Sequence, residues 1–149
     1  MTREVLFRAK RCDNEQWITG DLLQGKYHGT YIVDLTDDAS YKIERINWVE
    51  VYPNTVSQFT GLTDKNGVKI LENDVLCYKG YKTPIYGIVN FGEFIADDSE
   101  QYIGFYVEWM PNGDGVKWAD LRCDIGYWAV DNYTEVIGNR FDNPELLTT

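Results

Sequence analysis

The sequence predicts an all-β, mainly antiparallel protein. Three observations carry that prediction. Aromatic side chains are plentiful, with five Trp, eleven Tyr and six Phe in 149 residues, and such residues favour strands and bury large areas. Apolar and polar residues alternate in short runs, the period of two that marks half-buried strands. Turn residues separate those runs at short intervals, and thirteen Gly against four Pro suit many turns and few breaks. A chain of this length holds one medium domain or two small ones and buries enough surface to be stable without staples. The expected division is an antiparallel β unit over residues 1–57, a turn-rich connector over 58–74, and a second β unit over 75–149.

The first unit opens with residues 5–10, where Val5, Phe7 and Ala9 share one face and Leu6, Arg8 and Lys10 the other. Cys12-Asp13-Asn14-Glu15-Gln16 is a polar turn. Residues 17–23 return, with Trp17 on one face and Ile18 and Leu22 on the other, so the two runs predict a hairpin. Most of the positive charge near the start, Arg3, Arg8, Lys10 and Arg11, lies on it. Gln24-Gly25-Lys26 turns the chain into a strand over 27–35, broken by Gly29. Thr36-Asp37-Asp38-Ala39 is a solvated loop. Residues 40–48 alternate again, with Tyr41, Ile43 and Ile46 inward, and Val49-Glu50-Val51-Tyr52 leads to Pro53.

The connector is dense in turn chemistry. In Asp64-Lys65-Asn66-Gly67, Asn and Gly tolerate positive φ, and the Asp side chain can bond the backbone two residues on. Asn-Gly at the centre suits a two-residue hairpin loop. Glu72-Asn73-Asp74 makes a second polar corner before the apolar strand Val75-Leu76-Cys77-Tyr78. Beyond it, residues 80–84 form an excursion loop, 85–91 a strand and Gly92 a turn, with Phe94-Ile95-Ala96 pairing back. Residues 97–101 are an acidic loop and 102–109 a strong strand. Pro111-Asn112-Gly113-Asp114-Gly115 is the clearest loop in the chain. Residues 116–131 predict a short irregular or helical piece followed by a strand near 127–130. Residues 135–137 are the last strand, and residues 142–147 a single helical turn with Pro144 early in it.

The central stretch is also specific. It runs Val51-x-Pro53-x-Thr55-Val56-x-Gln58-Phe59-Thr60-Gly61-Leu62-x-Asp64-Lys65-Asn66-Gly67-x-x-Ile70-x-Glu72-x-Asp74-Val75. With the opening Arg3-Glu4-Val5-Leu6-Phe7-Arg8-Ala9 and the close Glu135-Val136-Ile137-Gly138-Asn139, then Asn143-Pro144-Glu145-Leu146-Leu147, it resembles the YopX-like family of phage and prophage proteins from end to end. Two positions depart from the family pattern: Asn73 stands where Gly is usual, and Leu71 where an aromatic is common. Asn is the best non-Gly residue for a left-handed turn, so the corner is kept. The resemblance implies a phage or prophage origin and an SH3-like β-barrel over 75–149. The run Gly87-Ile88-Val89-x-Phe91 is similar to the early strands of such barrels. The resemblance carries no established activity and no catalytic residues.

The net charge of −10 argues against general attraction to nucleic acid, whose phosphates are neutralised by Lys and Arg, and against an anionic membrane surface. Solubility is the plain reading of the charge. Mimicry of a polyanion, to occupy a host DNA-binding protein, is the sharper one. The three cysteines, Cys12, Cys77 and Cys123, are odd in number and widely spaced, which fits a reducing compartment rather than a disulfide framework or zinc knuckle. Neither a signal peptide nor a membrane span is expected, and the expected location is the bacterial cytoplasm.

No catalytic, cofactor-binding or metal-binding residue is predicted. His28, the single histidine, lacks nearby partners for zinc or general-base work and reads as a partly exposed strand or turn residue. Calcium-loop frames aligned on Gly67 and Gly115 put Leu62 and Asn73, or Met110 and Leu121, where terminal carboxylates are required. The carboxylates of Asp97, Asp98 and Glu100, and of Asp37 and Asp38, read as solvated loops. Those of Asp64, Glu72 and Asp74 read as local turns and caps to exposed backbone N–H groups. Aromatics beside cations, Tyr78-Lys79, Tyr81-Lys82 and Lys117-Trp118, are the nearest approach to a base-stacking surface.

The expectation is a non-enzymatic phage or prophage accessory protein working through contacts with a host or phage protein and through self-association as a homo-oligomer. The alternatives are a nucleic-acid-binding barrel and an acidic nucleic-acid mimic.

Overall fold

The structure, a computed structural model, describes residues 3–26, 28–34, 47–80, 82–95, 99–110, 122–124 and 133–147. The chain divides into two compact units, Met1–Phe59 and Thr60–Thr149.

In the first unit, β1 (Phe7–Lys10), β2 (Trp17–Gly25), β3 (Gly29–Asp34) and β4 (Asn47–Glu50) form an antiparallel sheet in the order β4-β3-β2-β1, and the start of β5 (Ser57–Thr63) adds beyond β1. The predicted hairpin is present, with Ala9 opposite Ile18 and Lys10 opposite Trp17. Ala9, Ile18, Ile32 and Val51 are buried on one face, with Phe7, Leu22, Val49 and Val56 packed against them. The Pro53-x-Thr55-x-Ser57 pattern has a local cause. Pro53–Thr55 is a short 3-10 helix. Thr55 Oγ1 donates to the Tyr52 carbonyl at 2.7 Å and accepts from the Lys10 N–H at 2.9 Å. The buried Ser57 hydroxyl donates to the Thr55 carbonyl at 3.1 Å. These bonds satisfy backbone groups where the chain leaves one strand for another. The expected alternation over 40–46 lies outside the described residues.

The second unit takes the rest of β5, then β6 (Lys69–Leu71), β7 (Asp74–Tyr78), β8 (Ile85–Ile95), β9 (Gln101–Met110), β10 (Arg122–Asp124) and β11 (Thr134–Asn139). The last five form an antiparallel sheet in the order β10-β9-β8-β7-β11. Its core gathers Ile70, Leu76, Ile85, Val89, Val107 and Trp109. The predicted carboxyl-terminal turn is a 3-10 helix, Pro144–Leu147, packed on β8.

Four expectations are corrected here. Among the described residues the sheet is open, with β10 and β11 as opposite edges, so these strands do not close into the expected SH3-like barrel. The cause lies in β8 and β9, which pair from Tyr86–Met110 to Ile95–Gln101, whereas β7 pairs with β8 only over Ile85–Ile88. Second, Gly92 is no turn: it sits opposite Gly104 within the β8–β9 ribbon. Third, Arg122–Asp124 is a strand paired with β9, where an irregular or helical piece was expected. The strand expected near 127–130 and the loop 111–115 lie outside the described residues. Fourth, the β5–β6 loop has three residues. The Asp64 N–H donates to the Val68 carbonyl at 2.8 Å, and the Gly67 N–H to the Asp64 carbonyl at 3.0 Å. Gly67 takes φ +79°, while Asn66 is not at positive φ. This is the hairpin class in which only the third loop residue must be left-handed.

Candidate functional site

The density of carboxylates in the connector resolves into structural bonds. Asp64, only 6% exposed, accepts the Asn66 and Val68 N–H groups on Oδ1 at 2.8 and 2.9 Å. Its Oδ2 accepts the Val136 N–H at 2.9 Å, 72 residues along the chain. Asp74, 1% exposed, accepts the Leu71 N–H on Oδ2 at 2.8 Å. The expectation of local turns was therefore half right. Asp64 makes its turn and also docks that turn onto β11, and both carboxylates are buried rather than solvated. Glu72 is half-buried at the corner. There Asn73 takes φ +70°, donates to the Val89 carbonyl and accepts from the Arg140 N–H.

Beside this joint, Glu135 on β11 is bracketed by two lysines. It pairs with Lys79 and lies 3.5 Å from Lys65 Nζ. The Lys79 hydrogen bond holds the Glu135 carboxyl below its ordinary range, and the same bond raises Lys79. Lys79 is thereby engaged. Its neighbour Tyr78 is half-buried, edge-on to Trp109 and Tyr133 at 6.2 and 6.0 Å between ring centroids. The Tyr78-Lys79 pair is thus not a stacking surface. Tyr81, Lys117 and Trp118 lie outside the described residues, as do Asp37, Asp38, Asp97 and Asp98.

A different aromatic and cationic surface appears on the first unit. Pairing places Arg8, Lys10, Trp17, Tyr31 and Trp48 on the sheet face opposite the core. The Arg8 guanidinium lies 4.7 Å, and the Lys10 ammonium 5.2 Å, from the centre of the Trp17 ring, within cation–π range. Tyr31 and Trp48 meet edge to face at 6.4 Å, and Trp48 is 57% exposed on the edge strand β4. The sequence holds the signal for this face: Arg8 and Lys10 alternate on β1, and Trp17 falls opposite Lys10 across a short turn. What hid it is register, because only the pairing shows that β3 and β4 add Tyr31 and Trp48 to the same side.

Next to Trp48 lies an open depression of about 340 Å³ lined by Arg11, Cys12, Asp13, Trp48, Val49 and Glu50. Arg11 is held by Asp13 in a two-bond fork at 2.9 and 2.6 Å. Burial, then the Glu50 and Asp13 charges, raise the Cys12 thiol above its ordinary range, the opposite of what an activated nucleophile needs. The cysteine of this depression is therefore not poised for covalent chemistry. Cys77 is buried in β7, and burial raises its thiol too. His28 is exposed beside the β2–β3 turn. Among the described residues no group of His, Cys, Asp and Glu is arranged to hold a metal ion, and no helix is long and apolar enough to cross a membrane.

Among the described residues the most exposed large apolar side chain, Ile103, is on the β8–β9 ribbon. Phe91, Ile95 and Ile103 are 55%, 59% and 73% exposed and share one face. Phe91 and Phe105 pair across the strands at 5.0 Å. On the other face Phe94 is buried and stacked with Tyr102 and Tyr106, at 5.7 and 5.0 Å.

Comparison with known proteins agrees with this architecture. No curated protein matches the sequence. Among solved structures, the crystal structure of protein EF1440 from Enterococcus faecalis matches with a TM-score of 0.50 and 20% identity, covering 98% of this chain and 99% of that one. That likeness concerns the fold. The sequence model described as YopX protein matches residues 6–148, nearly the whole chain, and the protein belongs to the YopX family.

Proposed function

We propose that this YopX protein is a phage or prophage accessory protein of the bacterial cytoplasm that acts through protein–protein contacts, including self-association, and not through catalysis. The observation that carries the reading is the apolar exposure on Phe91, Ile95 and Ile103, with Trp48 as a further exposed aromatic. Exposed apolar patches on a soluble protein mark contact surfaces. The carboxylates that a sequence motif offers for chemistry, Asp64 and Asp74, are engaged by backbone N–H groups, which supports a structural role for them. Affinity capture from infected or lysogenic cells, with and without nuclease, tests the reading. Partners retained after nuclease support it. A catch lost entirely with nuclease overturns it.

A second reading is favoured by one observation, the Arg8, Lys10 and Trp17 cluster with Tyr31 and Trp48 on one sheet face. Residues 1–59 hold seven Lys and Arg against nine Asp and Glu, while residues 60–149 hold seven against fifteen. The first unit is thus the less repulsive one toward phosphate. Stacking aromatics beside cations suit a single strand. Retention on single-stranded DNA that falls with added salt, and falls further in Trp48→Ala, is the outcome expected on this second reading.

A further inference from the structure

We propose that Asn66-Gly67 is a site of spontaneous modification, at which Asn66 deamidates only when the β5–β6 loop opens, and that Asp64 is the residue that keeps it closed. The inference stands apart from what the protein binds. In the step itself the Gly67 backbone nitrogen gives up its proton and attacks the side-chain carbonyl carbon of Asn66. A C–N bond forms, ammonia leaves, and a five-membered succinimide remains. Water then opens the ring at either carbonyl, giving aspartate or isoaspartate at position 66. Nothing is oxidised or reduced. A following glycine favours the attack because no side chain crowds its nitrogen.

The loop is open to water yet tied from within. Asn66 and Gly67 are exposed, and a Cβ at Gly67 would meet nothing within 4 Å. The N–H groups of Asn66, Gly67 and Val68 nevertheless all end on Asp64. Its Oδ1 accepts those of Asn66 and Val68 at 2.8 and 2.9 Å, and its carbonyl accepts that of Gly67 at 3.0 Å. The attacking nitrogen is therefore held by its own proton. The neighbouring carboxylate also opposes loss of that proton, because one negative charge disfavours a second beside it. The Asp64 N–H closes the loop onto the Val68 carbonyl at 2.8 Å, with Gly67 at φ +79°. Turning the Asn66-Gly67 peptide so that its nitrogen meets the Asn66 side chain breaks this set. The reaction thus proceeds from a locally opened state, and its rate reports the opening.

The product bears on the fold. Isoaspartate carries the chain through its side-chain carbonyl, which adds one methylene to the backbone of a three-residue loop. The Asn66 and Val68 N–H groups then no longer converge on one oxygen. The geometry that brings Oδ2 to 2.9 Å from the Val136 nitrogen is lost with them. The loop that fixes the β5–β6 hairpin to β11 is also the point at which that attachment is released for good.

The test is peptide mapping by mass spectrometry of the full chain, aged at physiological temperature and pH, folded and in guanidinium chloride. The map reads Asn66 separately from Asn112-Gly113, the second such pair in the sequence. Support comes from a folded wild type that loses ammonia at Asn66 about tenfold or more slowly than the denatured chain. It comes equally from a rate about tenfold or more faster in Asp64→Asn, the share of one bond to a charged group, and faster again in Asp64→Ala. Circular dichroism checks folding: a variant that is unfolded is set aside, and the wild-type comparison of folded with denatured chain decides if both are. Amide exchange at Val136 in the isolated isoaspartyl form is the second readout, and lost protection supports release of the hairpin. An Asn66 that deamidates as fast folded as denatured overturns the clamp, as does an unchanged rate in folded Asp64 variants. An Asn66 that stays intact in denaturant removes the site. Val136 still protected in the isoaspartyl form overturns the release.

Discussion

Asp64→Asn separates a structural carboxylate from a functional one. In the wild type Oδ1 accepts two backbone N–H groups within its own turn, and Oδ2 accepts a third from Val136. Asn keeps one acceptor oxygen, enough for Asn66 and Val68. Its amide group then faces the Val136 N–H, donor against donor, in a site where residue 64 is 6% exposed. A hydrogen bond to a charged group contributes about 1.5–3 kcal/mol, and stranding a buried donor costs about as much as the bond. The expected loss is therefore about 2–3 kcal/mol for Asn, and about 3–5 kcal/mol for Ala, which strands all three donors. Urea unfolding reads this as a midpoint lower by on the order of 1 M with the slope unchanged. Amide exchange at Val136 gives the local readout, free of any assumption that the two units unfold together. A folded Asp64→Asn within about 0.5 kcal/mol of wild type, the range of ordinary surface changes, with Val136 still protected, refutes the argument and frees the carboxylate for a binding role.

Three further outcomes are expected. Gly87→Ala places a methyl group 2.6 Å from Trp109 Cε3 and Val107 Cγ1; overpacking of this kind costs about 1–3 kcal/mol, visible in urea unfolding and in the near-UV signal of Trp109. Asn73→Gly leaves stability within about 0.5 kcal/mol, whereas Asn73→Val at φ +70° costs about 1–2 kcal/mol, both read from thermal unfolding. Glu135→Gln flattens the pH dependence of stability at both ends. The Lys79 hydrogen bond lowers the Glu135 carboxyl, so its contribution is present above the ordinary carboxylate pKa and disappears as pH falls through the depressed folded value. Lys79 is raised by the same bond, so its contribution is full below its ordinary pKa and is lost as pH climbs through the raised one. Thermal melts across pH that superimpose for wild type and Glu135→Gln would count against the pair.

The all-β class was legible because alternation is a local signal. Ala9 and Ile18 each fall on the buried face that period two assigns them. Turn chemistry was legible where one residue does the work alone, as in the left-handed Asn73. What failed was whatever depends on pairing between distant strands. Gly92 reads as a turn from its neighbours, yet Gly104 opposite keeps it in register. Arg122–Asp124 is a strand because Tyr106 to Glu108 offers a free edge to it, a fact absent from its own residues. Barrel closure is a property of strand length and register together, and no window of sequence contains it. The Arg8, Lys10, Trp17, Tyr31 and Trp48 face was missed for the same reason, since its residues come from four strands.

The same contrast separates the family motif from the surfaces where function is sought. Two connector carboxylates that looked chemical, Asp64 and Asp74, are committed inside the second unit. Asp64 and Asp74 cap backbone, Thr60 donates to the Ile70 carbonyl at 2.7 Å, and the Lys65 N–H donates to the Thr134 carbonyl at 3.2 Å. A residue whose polar atoms are already bonded within the fold has little left to offer a ligand, and breaking those bonds to bind one would cost about what they contribute. The exposed apolar and aromatic side chains lie elsewhere, at Trp48 on the first unit and at Phe91, Ile95 and Ile103 on the β8–β9 ribbon. A dense motif is therefore the poorer guide to function in this fold. It marks where the chain must be held, whereas Trp48 and Phe91 are aromatics that the fold leaves exposed.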